Sequence, residues 1–289
     1  MNKTLLVIGK SGQLAVELSK IGSASVVCVG RNDIDVMSDE SIRSVIEKYN
    51  PDALINASAY TAVDKAESEK EGAFALNSEA VSKLANACKL ANISMVHVST
   101  DYVFKGDKGS PYKVDDVRDP QGVYGASKAA GEEAIQQVLP ESSCIIRTSW
   151  VYSAAGNNFV KTMLTLMASK PALTVIDDQV GSPTWAKGLA LACVEAATKS
   201  LSGVYHWSDE GVTSWYDFAI AIQELGIAKG LLSQAIPIKP IPTKDYPTPA
   251  SRPLYSVLDK TVTRRVFADS PTHHWKAQLS SMLDELSAN

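Results

Sequence analysis

Five short runs, Thr4 to Ile8, Ser25 to Val29, Ala53 to Ala57, Ile93 to Ser99 and Cys144 to Ser149, constrain this chain more than any other feature. Several are apolar throughout instead of alternating, which suits strands covered on both faces. Such strands lie parallel, and the segments between them are long enough for the crossover helices that parallel pairing demands. The fold class that follows is α/β, a Rossmann-type doubly wound parallel sheet. Between Ala66 and Ala91, Ala, Leu and Val recur at helical spacing and predict one long helix or two abutting ones. Beyond residue 153 the texture changes. Short strand runs at Leu173 to Ile176 and Val204 to Trp207 separate helical stretches, and prolines gather from Pro237 to Pro253. This reads as a smaller C-terminal α/β lobe over residues 153–289 beside a first domain over 1–152, with some later segments returning to that first domain.

Charge narrows the partners. Lys and Arg total 28 against 32 Asp and Glu, a formal net charge of -4, with no basic run, so a nucleic-acid backbone is an unsuitable partner. No stretch reaches the roughly 18 apolar residues of a membrane span, and the polar Lys10 to Gln13 comes too early for a signal-peptide core. Cys28, Cys88, Cys144 and Cys193 lie far apart in apolar segments, as reduced thiols of a cytoplasmic protein would. His97, His206, His273 and His274 show no ligand spacing and read as packing or surface residues.

Gly9-Lys10-Ser11-Gly12-Gln13-Leu14-Ala15 follows the first strand directly and opens a helix. Glycine permits a tight turn and close approach of the backbone to a pyrophosphate, whose charge the helix N-terminus stabilises. The spacing is G-x-x-G-x-x-A, and its last small residue still allows close packing of helix on sheet. A phosphate loop of the NTPase kind is excluded, because its first glycine would fall at Thr4. At the end of the second strand, Val29-Gly30-Arg31-Asn32 places no carboxylate where the adenosine ribose hydroxyls would be held. A guanidinium there pairs with a 2′-phosphate, so Arg31 favours NADP(H) over NAD(H), with Asp35 and Val36 beside the adenine.

Tyr124 and Lys128 stand at i,i+4 on a helical stretch running from Tyr124 to Val138, so both side chains project from one face. An ammonium beside a tyrosine favours the phenolate and is expected to lower its pKa. Thr100 closes the fourth strand at the carboxyl edge, where open α/β sheets bind ligands, and is the natural third member. Its hydroxyl would hydrogen-bond a substrate carbonyl oxygen.

This order of glycine loop, four strands, strand-terminal Ser-Thr and then Tyr-x-x-x-Lys resembles the extended short-chain dehydrogenase/reductase superfamily. Asn56 to Glu67, Ser99 to Phe104, Arg147 to Tyr152, Asn157-Asn158-Phe159 and Tyr246 to Pro253 sharpen the resemblance to the dTDP-4-dehydrorhamnose reductase family, from Gly9 to about Leu286. The resemblance implies NADPH-dependent reduction of the C4 ketone of dTDP-4-dehydro-L-rhamnose to dTDP-L-rhamnose, an activated sugar for cell-surface polysaccharide such as the lipopolysaccharide O-antigen. By position, Gly9, Ser11, Gly12, Gln13 and Leu14 would face the cofactor phosphates. Ala59, Tyr60 and Thr61 would face its middle, and Val98 its nicotinamide side. Thr100 and Asp101 would touch the sugar, Trp150 would cover it, and Arg252 would bind the diphosphate.

Two departures from the family pattern carry expectations. Gly30-Arg31 replaces a common acidic residue, which disfavours NADH. Some members are described with Mg²⁺ between subunits; Glu17 and Glu285 match those positions, but Lys187 stands where another Glu would be, so no metal is expected. The chain is expected to be a monomer or homodimer. A nucleotide-sugar epimerase or dehydratase on the same scaffold is the nearest alternative, although dehydratases of this superfamily follow Thr-Asp with Glu and this chain has Tyr102. A second alternative is a non-catalytic NADP-binding subunit resembling the regulatory β-subunit of methionine adenosyltransferase.

Overall fold

A computed structural model describes residues 3–288. Its first part runs β1 (Thr4–Ile8), α1 (Gln13–Ser19), β2 (Ser25–Val29), α2 (Asp39–Tyr49), β3 (Ala53–Asn56), α3 (Val63–Ala66), α4 (Lys70–Phe74), α5 (Ala80–Ala91), β4 (Ser94–Thr100), α6 (Val123–Val138) and β5 (Ser143–Thr148). Then follow β6 (Val151–Tyr152), α7 (Phe159–Ser169), β7 (Leu173–Ile176), β8 (Val180–Gly181), β9 (Thr184–Trp185), α8 (Ala186–Lys199) and β10 (Gly203–Trp207). The chain closes with β11 (Thr213–Ser214), α9 (Trp215–Ala228), β12 (Ile238–Ile241), α10 (Thr263–Val266) and α11 (Trp275–Ser287).

The main sheet has six strands in the order β10-β5-β4-β3-β1-β2, every pair parallel. Side chains alternate between its two faces. Leu5, Val7, Ala53, Ile55, Val96, Cys144 and Ile146 join α1 and α8 in one core, while Leu6, Ile8, Leu54, Met95 and Ile145 join α2, α5 and α6 in the other. Both faces are dry, which is why these strands carry apolar residues at consecutive positions. Strand order reverses between β1 and β3, so the chain diverges there and leaves a crevice at their carboxyl ends.

Val204 to Trp207, read from sequence within the smaller lobe, instead forms the sixth strand of the main sheet, paired with β5 from Gly203↔Cys144 to Trp207↔Thr148. Local patterning marks a strand but not its partner, and the partner lies far back in the chain. A separate core of Tyr152, Met163, Trp185, Phe218, Ile222, Trp275 and Met282 holds α7, α9 and α11 together with the small sheets β6-β9 and β7-β12. The helical stretch expected over Ala66 to Ala91 forms as α3 and, after a turn, a helical run from Lys70 to Ala91. Within that run a π-helical turn at Ala75–Glu79 joins α4 to α5. Asn77 in that turn is buried and accepts from the Tyr60 N–H while donating to the Tyr60 carbonyl and the Ser127 hydroxyl. The extra residue of a π-turn aims that amide at two elements at once, a known use of such bulges near functional sites. Among the described residues, no helix is long and apolar enough to cross a membrane.

Candidate active site

The crevice at the sheet reversal is a cavity of ≈ 910 Å³ lined by Gly9, Ser11, Gly12, Arg31, Asp35 and Val36. It runs into a second hollow of ≈ 590 Å³ that holds Gln13, Thr61, Val98, Thr100, Tyr124 and Lys128. Ser11, Gly12, Ala57, Ser58 and Ala59 border both, so the two form one groove across the carboxyl ends of β1, β3 and β4. A further hollow of ≈ 940 Å³ between α2 and α5 is lined by Asp39, Arg43, Glu47 and Lys83 and contains none of these groups.

Gly9 starts the groove with φ +131, a conformation L side chains rarely adopt. Its N–H donates to the Val29 carbonyl at 2.8 Å, which keeps the loop tight over β2. Gln13 accepts from Asn158 Nδ2 at 3.0 Å, and Asn158 also caps α7, so the loop is tied to the smaller lobe. Arg31 is exposed at the far end of the groove. Contrary to expectation, a carboxylate does line this end, that of Asp33. It accepts from the Gly30 N–H at 2.9 Å and from Lys10 Nζ at 3.2 Å, and these two bonds hold its carboxyl below the ordinary range. Two residues of sequence separation concealed it.

The middle of the groove differs at one residue. The Tyr60 hydroxyl donates to Glu69 at 2.5 Å and its main chain is gripped by Asn77, so its side chain braces the loop after β3 instead of lining the cavity. Ala59 and Thr61 do line it.

At the carboxyl end of β4, Thr100 Oγ1 donates to Asp101 Oδ1 at 3.0 Å. The first turn of α6 lies directly against the Asp101 to Val103 turn, because residue 125 is glycine: a Cβ there would fall 2.2 Å from the Tyr102 carbonyl oxygen. That close approach delivers Tyr124 to Thr100. Burial pushes the Tyr124 phenol up to about 12, while its hydrogen bond to Thr100 pulls the other way. The expectation that Lys128 would lower the Tyr124 pKa is therefore overturned. Lys128 Nζ is committed elsewhere, donating to the Val98 carbonyl at 2.7 Å and lying 3.1 Å from His97 Nε2. Burial brings Lys128 itself down to about 8, opposed by the charge of Glu132. Burial also raises the Asp101 carboxyl to about 6, with hydrogen bonds from Ser256 and Thr100 opposing it. At neutral pH the site thus holds an un-ionised phenol beside a lysine that titrates nearby, a pair suited to giving a proton to a developing alkoxide.

Trp150 closes the groove after β5. Its φ of 48 is left-handed, and its ring stacks on Trp215 with centroids 3.6 Å apart and planes at 9°. Trp215 opens α9 of the other lobe, so this wall joins two elements that nothing in the sequence links. Arg252 is not on the groove lining; its Nη2 donates to Asp64 Oδ2 at 2.7 Å, and its Nη1 is buried with no hydrogen-bond partner among the described residues.

Residues at the positions associated with a metal do not fit one. Glu17 is buried and accepts from the Ser153 hydroxyl at 2.7 Å and from Lys20 at 3.2 Å. Lys187 pairs with Glu285 at 3.0 Å, and Lys20 approaches it at 3.9 Å. Two ammonium groups already neutralise these carboxylates and would repel a divalent cation.

A parallel sheet with a glycine loop at its reversal, and Thr, Tyr and Lys gathered at the next strand end, define an oxidoreductase of the short-chain dehydrogenase/reductase class. The family model described as the RmlD substrate binding domain matches residues 2–288. A dTDP-4-dehydrorhamnose reductase from Aggregatibacter actinomycetemcomitans is 39% identical over 288 residues, covering 96% of this chain and 97% of that protein. One from Salmonella typhimurium is 38% identical over 98% of this chain and 97% of that protein. The crystal structure of a dTDP-4-dehydrorhamnose reductase from Bacillus anthracis, in complex with NADP, superposes with a TM-score of 0.91 at 30% identity, covering 99% of this chain and 100% of that one. The chain belongs to the RmlD substrate binding domain family, and the resemblance read from its motifs holds.

Proposed function

We propose that this protein reduces the C4 ketone of dTDP-4-dehydro-L-rhamnose to dTDP-L-rhamnose with NADPH. The names and the NADP complex of the relatives support the substrate and cofactor. The observation that carries the chemistry is the un-ionised Tyr124 phenol, beside Thr100 in the second hollow of the groove. When bound, the reduced nicotinamide supplies hydride. Tyr124 donates its proton to the oxygen that gains charge, and Thr100, which lies beside the phenol, positions it. Lys128 stabilises the phenolate that results. General acid help of this kind is worth about 10²–10⁴-fold.

Gly9, Ser11, Gly12, Gln13 and Leu14 bind the cofactor phosphates, Arg31 its 2′-phosphate with Asp35 and Val36 by the adenine, and Ala59, Thr61 and Val98 its remainder. The Asp33 carboxylate is turned onto Gly30 and Lys10, which leaves Arg31 the dominant charge at that end. Asp101 and Trp150 bind the sugar, and Arg252 binds the diphosphate once its guanidinium turns from Asp64 toward the groove. Tyr102 packs edge-on to Tyr124 with ring centroids 5.6 Å apart and its phenol pushed far up by burial, so no carboxylate stands where a dehydratase would need one. We place the protein in the cytoplasm as a monomer or homodimer; four unpaired thiols suit a reducing compartment.

NADPH oxidation is to be followed with dTDP-, UDP- and GDP-linked 4-keto sugars. Turnover is expected with dTDP-4-dehydro-L-rhamnose in preference to the others. Cofactor that binds without net oxidation would mark an epimerase or a regulatory subunit instead.

A further inference from the structure

His97, in the middle of β4, has no exposed surface and no place in the chemistry above, yet it lies against Lys128. Its protonation can be read from its other neighbour. The Ser58 main-chain N–H donates to Asn56 Oδ1 at 3.1 Å, and the Ser58 hydroxyl donates to the same oxygen at 2.7 Å. A main-chain N–H is always a donor, so the Asn56 oxygen is the atom facing Ser58 and its NH2 faces His97 Nδ1 at 3.1 Å. Nδ1 therefore accepts and carries no proton. Burial and the charge of Lys128 hold His97 well below its ordinary pKa, so the ring is neutral and its single proton sits on Nε2. That N–H points at Lys128 Nζ across 3.1 Å. An ammonium has no lone pair to receive it; a neutral amine has one, and can still donate to the Val98 carbonyl.

We propose that His97 is a positioning residue for Lys128, presenting an N–H to the lysine nitrogen so that the neutral amine is favoured after Lys128 has given up a proton. The inference rests on the reading of Tyr124 and Lys128 as the proton-transfer pair. The O–H bond of Tyr124 breaks as the O–H bond of the product alcohol forms. The phenolate regains a proton from the Lys128 ammonium through water in the hollow both residues line, the amine left behind accepts the His97 N–H, and solvent later returns the proton to the amine. The other groups around Lys128 do not supply this. On α6, Tyr124 lies one turn before it and Glu132 one turn after. The Glu132 charge favours the ammonium but is itself held by Arg147 at 2.7 Å and Arg118 at 3.2 Å. From β3, Asn56 is uncharged, and the Asp101 charge acts on Tyr124.

Two measurements test this. In the full-length protein labelled with ¹⁵N-histidine, long-range proton–nitrogen correlation separates the four histidines, and the His97 signal is identified by its loss in His97→Gln. The expected pattern is a neutral ring protonated at Nε2; protonation at Nδ1, or at both nitrogens, overturns the proposal without any assay of activity. The second measurement is the pH dependence of kcat for NADPH oxidation, which is expected to fall as the Lys128 ammonium, brought down by burial to about 8, loses its proton. His97→Met removes the N–H aimed at the amine, so the basic limb moves to higher pH by about one unit. His97→Gln offers its oxygen to Asn56 and its NH2 to Lys128, so its limb stays near the wild-type position. Coincident limbs in all three proteins would assign His97 a packing role only. Failure of the parent reading looks different: Tyr124→Phe would turn over normally while the Nε2–H form persisted.

Discussion

Replacing Tyr124 by Phe isolates one hydroxyl group. The phenol is un-ionised at neutral pH, since its pKa lies at about 12, so the substitution removes no charge. Its partner Thr100 keeps the bond to Asp101 at 3.0 Å and the bond from the Tyr102 N–H at 3.3 Å, so no buried group is left without a partner. The edge contact with the Tyr102 ring and the seat of Gly125 against the Tyr102 carbonyl are unchanged in shape. The stability loss is then that of one hydrogen bond, about 1 kcal/mol, or a Tm lower by about 2–4 °C. The rate loss is much larger. Without an acid at the alkoxide, kcat should fall about 10²–10⁴-fold, equivalent to about 3–5 kcal/mol on the barrier. NADPH oxidation with the dTDP-linked keto sugar measures the rate, fluorescence titration measures NADPH binding, and calorimetry measures Tm. Binding within about twofold of wild type, with the rate collapsed, is the expected result, because the group removed acts only in the transition state. A variant that turned over at close to the wild-type rate, folded and binding NADPH, would show that the proton comes from elsewhere.

Two further substitutions probe other parts. Arg31→Ala should raise the KM for NADPH about tenfold and leave that for NADH nearly unchanged, since it removes one charge-assisted contact to a 2′-phosphate; equal effects on both cofactors in steady-state assays would show that Arg31 reads no phosphate. Glu132→Gln leaves the buried Arg147, now held at 2.9 Å and 2.7 Å by both carboxylate oxygens, without its counter-charge, and should lower unfolding free energy by about 3–5 kcal/mol in denaturant titration. Arg147 is only 3% exposed, so water cannot replace the lost partner; an unchanged midpoint would refute the pairing.

Much of this protein was legible along the chain because the physics involved is local. Unbroken apolar runs mark doubly covered strands, Gly9 with its helix marks a phosphate loop, and the i,i+4 spacing of Tyr124 and Lys128 places both on one helix face. The five leading strands stand within a residue or two of where periodicity puts them. What was hidden depends on packing between distant segments. Val204 to Trp207 shows its strand character but not its partner β5. Trp215 gives no sign that it will stack on Trp150, since one opens a helix and the other leaves a strand. His97 reads as one more core residue until Asn56, the last residue of the neighbouring strand, and Ser58 just beyond it fix its proton and Lys128 of α6 meets it. Protonation was the least legible property. Spacing alone predicts that a lysine beside a tyrosine lowers its pKa, whereas in the folded protein desolvation raises it and the lysine turns to Val98 and His97. Sequence determined which elements form and which chemical groups are available; tertiary structure decided which groups meet and which carry protons, because burial and partner geometry exist only once the layers have closed.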